Sequence, residues 1–463
     1  MSAYVIDSRL FKDQFSTEAM RRIFSDEQTV QKWLDFEAAL AKVEAKLGVI
    51  PAVAAEEIAK KSRVELFDLD EMKLEMDRTS HPIVPMLRTY KKICAGDAGE
   101  YVHWGATTQD VTDTGMVLQL REALDVIGDG LRALHGNLRN LSKKYRDSII
   151  AGRSHGQHAL PTTFGFKTAV WTAEIERHIQ RIEEMRQRLL VGQFSGAVGT
   201  LAAISDKGVA VQQALMTELG LQCPEISWHT SRDRVAELIC VLAMLVSSVG
   251  KIAHEIYCLQ RTEISELEEP FAEGKVGSST MPHKRNPPTC ETIVAISRIV
   301  RATVPLALEA IGAEHERDKV VLQTEREFVA RTCCLTDAAI KKAAFVTAGL
   351  TVRTDRMESN LFLQKGLLMS EAIMMHLGDR IGRQEAHEVI YRICMEAFET
   401  DTPLRDLLVK DKLVRENLDE MQLDKLLDPR SYTGLAGHFV DKVLSNGSGG
   451  KRLKSKSAVV RTT

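Results

Sequence analysis

Residues 274–288, GKVGSSTMPHKRNPP, place Ser278, Ser279, His283, Lys284, Arg285 and Asn286 in one short segment between glycine and proline. Hydroxyls, cations and an amide this close together suit a loop that meets an anion. Backbone N–H groups at 277–279, with Lys284 and Asn286, can hold a carboxylate or an enolate-type oxyanion through charge-assisted hydrogen bonds. Ser278 would then act as nucleophile or base. Two other polar stretches interrupt the chain, HWGATTQDVTDTG at 103–115 and GRSHGQHALPTTFGFK at 152–167. Thr107, Thr108 and Gln109 stand where a helix N-terminus can clamp a second carboxylate. His155 and His158 have H-x-x-H spacing, but no Cys or carboxylate motif completes a metal set, and His158 reads as structural filling. The plain alternative for all three stretches is a helix–helix connection, where Gly, Ser, Thr and Pro are expected anyway.

These stretches need elements to position them, and proline placement shows where long helices fit. None occurs between Pro85 and Pro161, Pro161 and Pro224, Pro224 and Pro270, or Pro305 and Pro403. From Val117, apolar residues fall at Leu120, Leu124, Ile127, Leu131, Leu134, Leu138, Leu141 and Tyr145, a heptad seam that predicts lengthwise helix packing. Further long helices are expected near 232–269, 163–190, 291–313 and 324–348; the first is apolar on every face from Leu238, as in a bundle centre. The reading is an all-α chain with an N-terminal helical domain (1–112), a central long-helix bundle (113–354), a C-terminal helical domain (355–444) and a disordered basic tail (445–463).

Composition narrows the function classes. With 44 % hydrophobic but only 5 % aromatic residues, the chain favours helix over sheet. Its 61 Lys and Arg against 64 Asp and Glu give a net charge of −3, which offers no field for nucleic acid or an anionic membrane. The eight Cys are scattered without a CxxC or a secretory leader, so reduced thiols in the cytoplasm are expected. The run Leu238 to Gly250 is shorter than the roughly 20 residues of a membrane span, and no membrane association is expected.

GSSTMPHKRNP resembles the G-S-S-x-x-P-x-K-x-N signature of the fumarase/aspartase superfamily, met at Gly277, Ser278, Ser279, Pro282, Lys284 and Asn286. HWGATTQD and GRSHGQHALPTTFGFK are similar to its first and second motifs, in the same chain order. The resemblance covers roughly residues 10–440. It implies a homotetramer with a twenty-helix core, active sites shared by three subunits, and β-elimination from a succinyl-type substrate to release fumarate, without metal or organic cofactor. Two branches compete. The second motif and TSHP around His81 resemble adenylosuccinate lyase; FSTEAMRRIF, HWGATTQDVTDTGMVLQLREAL and WHTSRDR look more like 3-carboxy-cis,cis-muconate cycloisomerase. The Arg-Tyr and serine pairs expected as phosphate ligands in the first branch are Gln14, Phe15, Leu322 and Gln323 here, which puts adenylosuccinate itself in doubt.

Carried over residue by residue, the resemblance implies Ser278 as base, His155 as the acid that protonates the leaving group, Glu291 orienting His155, and His81 as a second catalytic histidine. Thr107, Thr108, Gln109, Ser154, Ser231, Ser279, Lys284, Asn286 and Arg317 are implied substrate contacts, Ser231 replacing a longer glutamine. Structural readings stand beside these: His81 before Pro82 as a helix stop, Ser279 as loop structure, Glu316 to Asp318 as a solvated charge run. The chemistry demands such donors, because removing a proton next to a carboxylate piles a second negative charge onto it. The predicted function is a lyase acting on an N-substituted aspartate. Lactone chemistry of the cycloisomerase type, and an inactive structural protein on the same fold, are the alternatives.

Overall fold

The computed structural model describes residues 3–446 apart from 272–273 and 275–276, so that most of the expected tail lies outside the described residues. The described chain is all-α, with two two-stranded antiparallel sheets as its extended structure. Contacts divide it into two units. One comprises Met1–Arg132, Arg177–Ala253 and Glu291–Ala343; the other comprises Ala133–Glu176, His254–Cys290 and the chain from Ala344.

The first unit is built on long helices. Helix Asp26–Lys46 opens on Ser25, whose hydroxyl accepts the Gln28 N–H at 3.3 Å, and buries Leu34, Phe36, Leu40 and Val43 against helices Ala52–Lys61 and Gly208–Leu219. Helix Thr108–Lys144 carries the expected seam: Leu120, Leu124, Ile127, Leu131, Leu134 and Leu138 are all within 1 % of full burial. Chain-internal packing covers that seam. Helix Asp233–Leu259 buries Leu238, Leu242, Leu245, Val246 and Val249, as its apolar run predicts, but leaves Met244 47 % exposed. By length and composition this helix would cross a membrane, contrary to the length argument from Leu238 to Gly250; 67 % of its most apolar window is buried inside the fold.

Three helix limits differ from expectation, each for a local reason. Asp233–Leu259 stops ten residues early, in a turn where Ser265 adopts the left-handed conformation (φ 54°). Helix Pro288–Glu309 starts three residues early because proline fits a first helical position and Glu269 accepts the Thr289 and Cys290 N–H groups at 3.3 and 3.0 Å. Helix Lys319–Ala348 starts five early, since Asp318 Oδ1 accepts the Val320 N–H at 2.8 Å and caps it.

The second unit contains an element that composition concealed. Residues read as a helix connection form a hairpin, β1 Ile149–Ser154 and β2 Gln157–Thr163. Its two-residue loop, His155 and Gly156, has positive φ at both positions (51° and 78°), as a type I′ turn requires. Arg153 anchors the hairpin through a bidentate ion pair with buried Glu266, at 2.7 and 2.9 Å, and Asn360 donates to the same carboxylate at 2.8 Å. After Thr354 the helices shorten as expected, and they bury Ile373, Leu377, Ile390, Leu404, Leu408 and Leu423 in one cluster.

Arg232 lies fully buried in the first unit between Asp113 and Glu325. It reaches Asp113 at 2.8 and 3.1 Å, and Glu325 through Nε at 2.9 Å. Burial opposes its charge, yet the two carboxylates hold the guanidinium more firmly protonated than usual. Removing it would leave two buried carboxylates without a counter-ion. Arg232→Met is therefore expected to cost about 3–5 kcal/mol in chemical denaturation, whereas a change of less than about 1 kcal/mol would show that the carboxylates find other partners.

Candidate active site

Thr107 and Asp110 begin the site. They form half of a reciprocal cap at the start of helix Thr108–Lys144, the Thr107 N–H donating to Asp110 Oδ2 at 3.0 Å. The same carboxylate accepts the Ser195 and Gly196 N–H groups at 3.1 and 3.0 Å, and His229 Nε2 lies 2.9 Å from it. Gln109 is completely buried; its amide donates to Asp113 at 3.0 Å and to the His229 carbonyl at 2.7 Å, while its Oε1 has no partner. Helix start, the 193–196 segment and the WHTSRDR turn are thus locked to one another.

Beside this start lies a pocket of about 330 Å³, whose lining includes His81, Thr108, Gln109, Arg317, Lys319 and Arg326. Arg317 donates to Thr107 Oγ1 at 2.8 Å, so it faces the clamp, while its neighbour Asp318 is the helix cap. The charge run therefore has divided roles. His81 sits between helices Leu69–Thr79 and Val84–Ile93. Its Nδ1 accepts the Val84 N–H at 3.3 Å, which leaves the ring proton on Nε2, 3.3 Å from Thr108 Oγ1. Burial pushes the imidazole below its usual range, and Lys319, His103 and Arg317 push it further. The helix stop is left-handed Ser80 rather than His81, which instead meets the start of the next helix and is a donor at the pocket wall. Three cations in one small pocket suit a dianion.

Ser154 and His155 occupy the exposed hairpin end, His155 at the turn itself. His158 lies on β2 opposite Arg153, and burial lowers its pKa. Ser231 is exposed in the turn before helix Asp233–Leu259, and Glu291 is exposed in the first turn of helix Pro288–Glu309. Neither lines the cationic pocket.

The signature loop closes on itself. Asn286 Nδ2 donates to the Gly277 carbonyl at 2.7 Å, and a Cβ at Gly277 would meet the Lys284 carbonyl oxygen at 2.0 Å, so no other residue fits. The Lys284 N–H donates to the Met281 carbonyl at 3.0 Å. Ser278 Oγ accepts the Thr280 and Met281 N–H groups at 3.3 and 3.0 Å, while Ser279 and Lys284 are exposed. Arg285 is anchored to Glu268 at 2.7 Å and lies over the Phe271 ring at 4.7 Å. A cleft of about 740 Å³ is lined by Lys284, Asn286, Arg261 and Arg353 among others.

Sequence reasoning missed the Asp110–His229 pair, the Arg232 triad, and Lys319 and Arg326 at the pocket. Asp110 and Asp113 lie one helical turn apart inside a polar motif, and the basic residues of WHTSRDR are the complementary signal. His103, in the first motif, was also not singled out. It holds a left-handed conformation (φ 65°) with Nδ1 2.7 Å from Glu37; burial opposes its protonation, and Glu37 more than restores it. Among the described residues no group of three or more His, Cys, Asp or Glu could hold a metal ion.

Two family models match the chain, one described as lyase over residues 13–302 and one as adenylosuccinate lyase C-terminus over 366–443. N-acetyl-S-(2-succino)cysteine lyase of Dickeya dadantii is 39 % identical over 97 % of this chain and 99 % of its own length. Adenylosuccinate lyase of Methanocaldococcus jannaschii is 40 % identical over 98 % of this chain and 97 % of its own. The crystal structure of 3-carboxy-cis,cis-muconate lactonizing enzyme from Pseudomonas putida superposes with a TM-score of 0.90 at 39 % identity, over 95 % of this chain and 99 % of that one. Matches of this extent, together with a signature loop intact at Gly277, Ser278, Ser279, Pro282, Lys284 and Asn286, make the chain a lyase of the fumarase/aspartase superfamily.

Proposed function

We propose that the chain eliminates a heteroatom substituent from a succinyl-type dicarboxylate, with an N-substituted aspartate as the reference substrate, and releases fumarate without metal or organic cofactor. The carrying observation is the small pocket in which Arg317, Lys319 and Arg326 meet Thr108 and neutral His81. The names of two lyase relatives, one with sulfur and one with nitrogen attached to a succinyl unit, support the same substrate half. In this reading Thr107, Thr108 and Arg317 hold one carboxylate, while Gln109, expected among the clamp residues, supports them from behind: its amide N–H groups are committed to Asp113 and the His229 carbonyl, and its free oxygen is an acceptor. Lys284, Asn286 and the loop N–H groups take the charge that develops on the other, and Ser154, Ser231 and Ser279 are further contacts.

Ser278 is the base. Two backbone N–H groups aimed at its Oγ stabilise negative charge there, which favours the deprotonated hydroxyl. Ser278 takes a proton from the carbon next to a carboxylate, the electron pair forms the alkene, and the bond to the heteroatom breaks. His155 gives its proton to the departing group, Glu291 orients His155, and His81 holds the clamp threonine.

Surface as well as resemblance supports an oligomer. Met244, Ile299, Leu306 and Phe345 are 47, 37, 41 and 56 % exposed on three long helices, and apolar side chains so placed gain from a covering helix. The proposed assembly is a cytoplasmic homotetramer. Sedimentation at micromolar concentration should give that tetramer, and an active monomer would contradict it.

Ser278→Ala should lower kcat by about 10²–10⁴-fold with substrate affinity largely kept. Ser279→Ala should do much less. His155→Asn should slow substrates with poor leaving groups most, since a stable leaving anion needs little protonation. Near-normal turnover in Ser278→Ala, with assembly verified, would move the base elsewhere. A lactone product in place of fumarate would favour cycloisomerase chemistry.

A further inference from the structure

A second cavity, of about 380 Å³, lies beside the cationic pocket, and Pro82, Thr112, Leu322 and Arg326 line both. Its walls are mostly apolar, formed by Phe24, Trp33, Met76, Met116, Leu322 and Val329. Its acids are Asp26, at the exposed start of helix Asp26–Lys46, and Asp113 and Glu325, which share the single guanidinium of Arg232. Arg326 is the cation that both cavities share, and it donates to Gln323 Oε1 at 2.7 Å.

We propose that this second cavity receives the leaving group, and that the leaving group is apolar or aromatic and carries no phosphate. The inference rests on the lyase reading for its name only: a dicarboxylate in the first cavity must point its substituent somewhere, and this cavity adjoins the first along Pro82, Thr112, Leu322 and Arg326. Apolar walls gain by excluding water from a ring or alkyl chain. An anionic substituent here would face Asp26 and a triad of two carboxylates on one guanidinium, and it would compete with the succinyl carboxylates for Arg326. Aromatic bulk fits where charge does not.

The test uses carbon-linked succinates, which bind without being cleaved, so that it does not depend on elimination. Calorimetry on the full-length assembly should show benzylsuccinate binding about 30- to 100-fold more tightly than methylsuccinate, the scale expected for burying a phenyl ring, and phosphonomethylsuccinate binding more weakly than either. Met116→Glu should abolish most of the benzyl preference. Asp26→Lys, at an exposed position, should improve phosphonomethylsuccinate relative to methylsuccinate. Equal affinity for benzyl- and methylsuccinate, or tightest binding of the phosphonate, would overturn the assignment. Fumarate release from the sulfur- and nitrogen-linked counterparts is scored separately: its absence alongside a benzyl preference would reject the lyase reading and leave the cavity assignment standing.

Discussion

Four donors converge on the Asp110 carboxylate: the Thr107, Ser195 and Gly196 N–H groups and the His229 imidazole. A buried carboxylate so surrounded is costly to leave short of partners, so the three segments that supply them move together or not at all. That constraint fixes where helix Thr108–Lys144 begins, hence where Thr107 and Thr108 point, hence where Arg317 can settle. One turn along, Asp113 repeats the device with Arg232 and Glu325. The clamp is rigid because its supports are buried ions, and those ions earn their place through position more than through net stability.

The signature loop achieves order by a different route. Its charged side chains stay accessible, and closure comes from contacts to the backbone: Gly277 packed against the Lys284 carbonyl, the Asn286 amide back to the Gly277 carbonyl, and the Glu269 carboxylate on the N–H groups that start helix Pro288–Glu309. Asn286 thereby has one N–H committed to the loop. The hairpin is a third solution, a type I′ turn that lifts His155 clear of its own sheet while Arg153 and Glu266 hold the base. Preorganised parts of this kind suit a reaction whose barrier is charge development.

Helix content and the principal loop were legible in the sequence because they depend on short-range pattern. The Val117 seam and the apolar run at Leu238 are periodic signals, and GSSTMPHKRNP is contiguous. The hairpin was hidden because its strands lack a clean apolar–polar alternation, carry Gly152 and Pro161, and have turn residues that resemble any loop. The supports were hidden for another reason: Asp110 meets His229 across 119 residues, and Arg232 meets Glu325 across 93, separations at which one sequence carries no pairing information. The seam also shows the limit of periodicity. It predicts that a face is covered but not by what, and here the chain covers it, so the case for partners rests on Met244, Ile299, Leu306 and Phe345 instead.

The central claim is removal of one proton next to a carboxylate followed by loss of the neighbouring substituent, and reversal in deuterium oxide reads it directly. With fumarate and a thiol or amine supplied to the enzyme, proton NMR should show addition across the double bond with a single deuterium at one face of the methylene carbon, retained in Ser279→Ala and suppressed in Ser278→Ala. Deuterium at both methylene positions, or adduct formation undiminished in Ser278→Ala, would contradict a positioned serine base acting on a succinyl substrate.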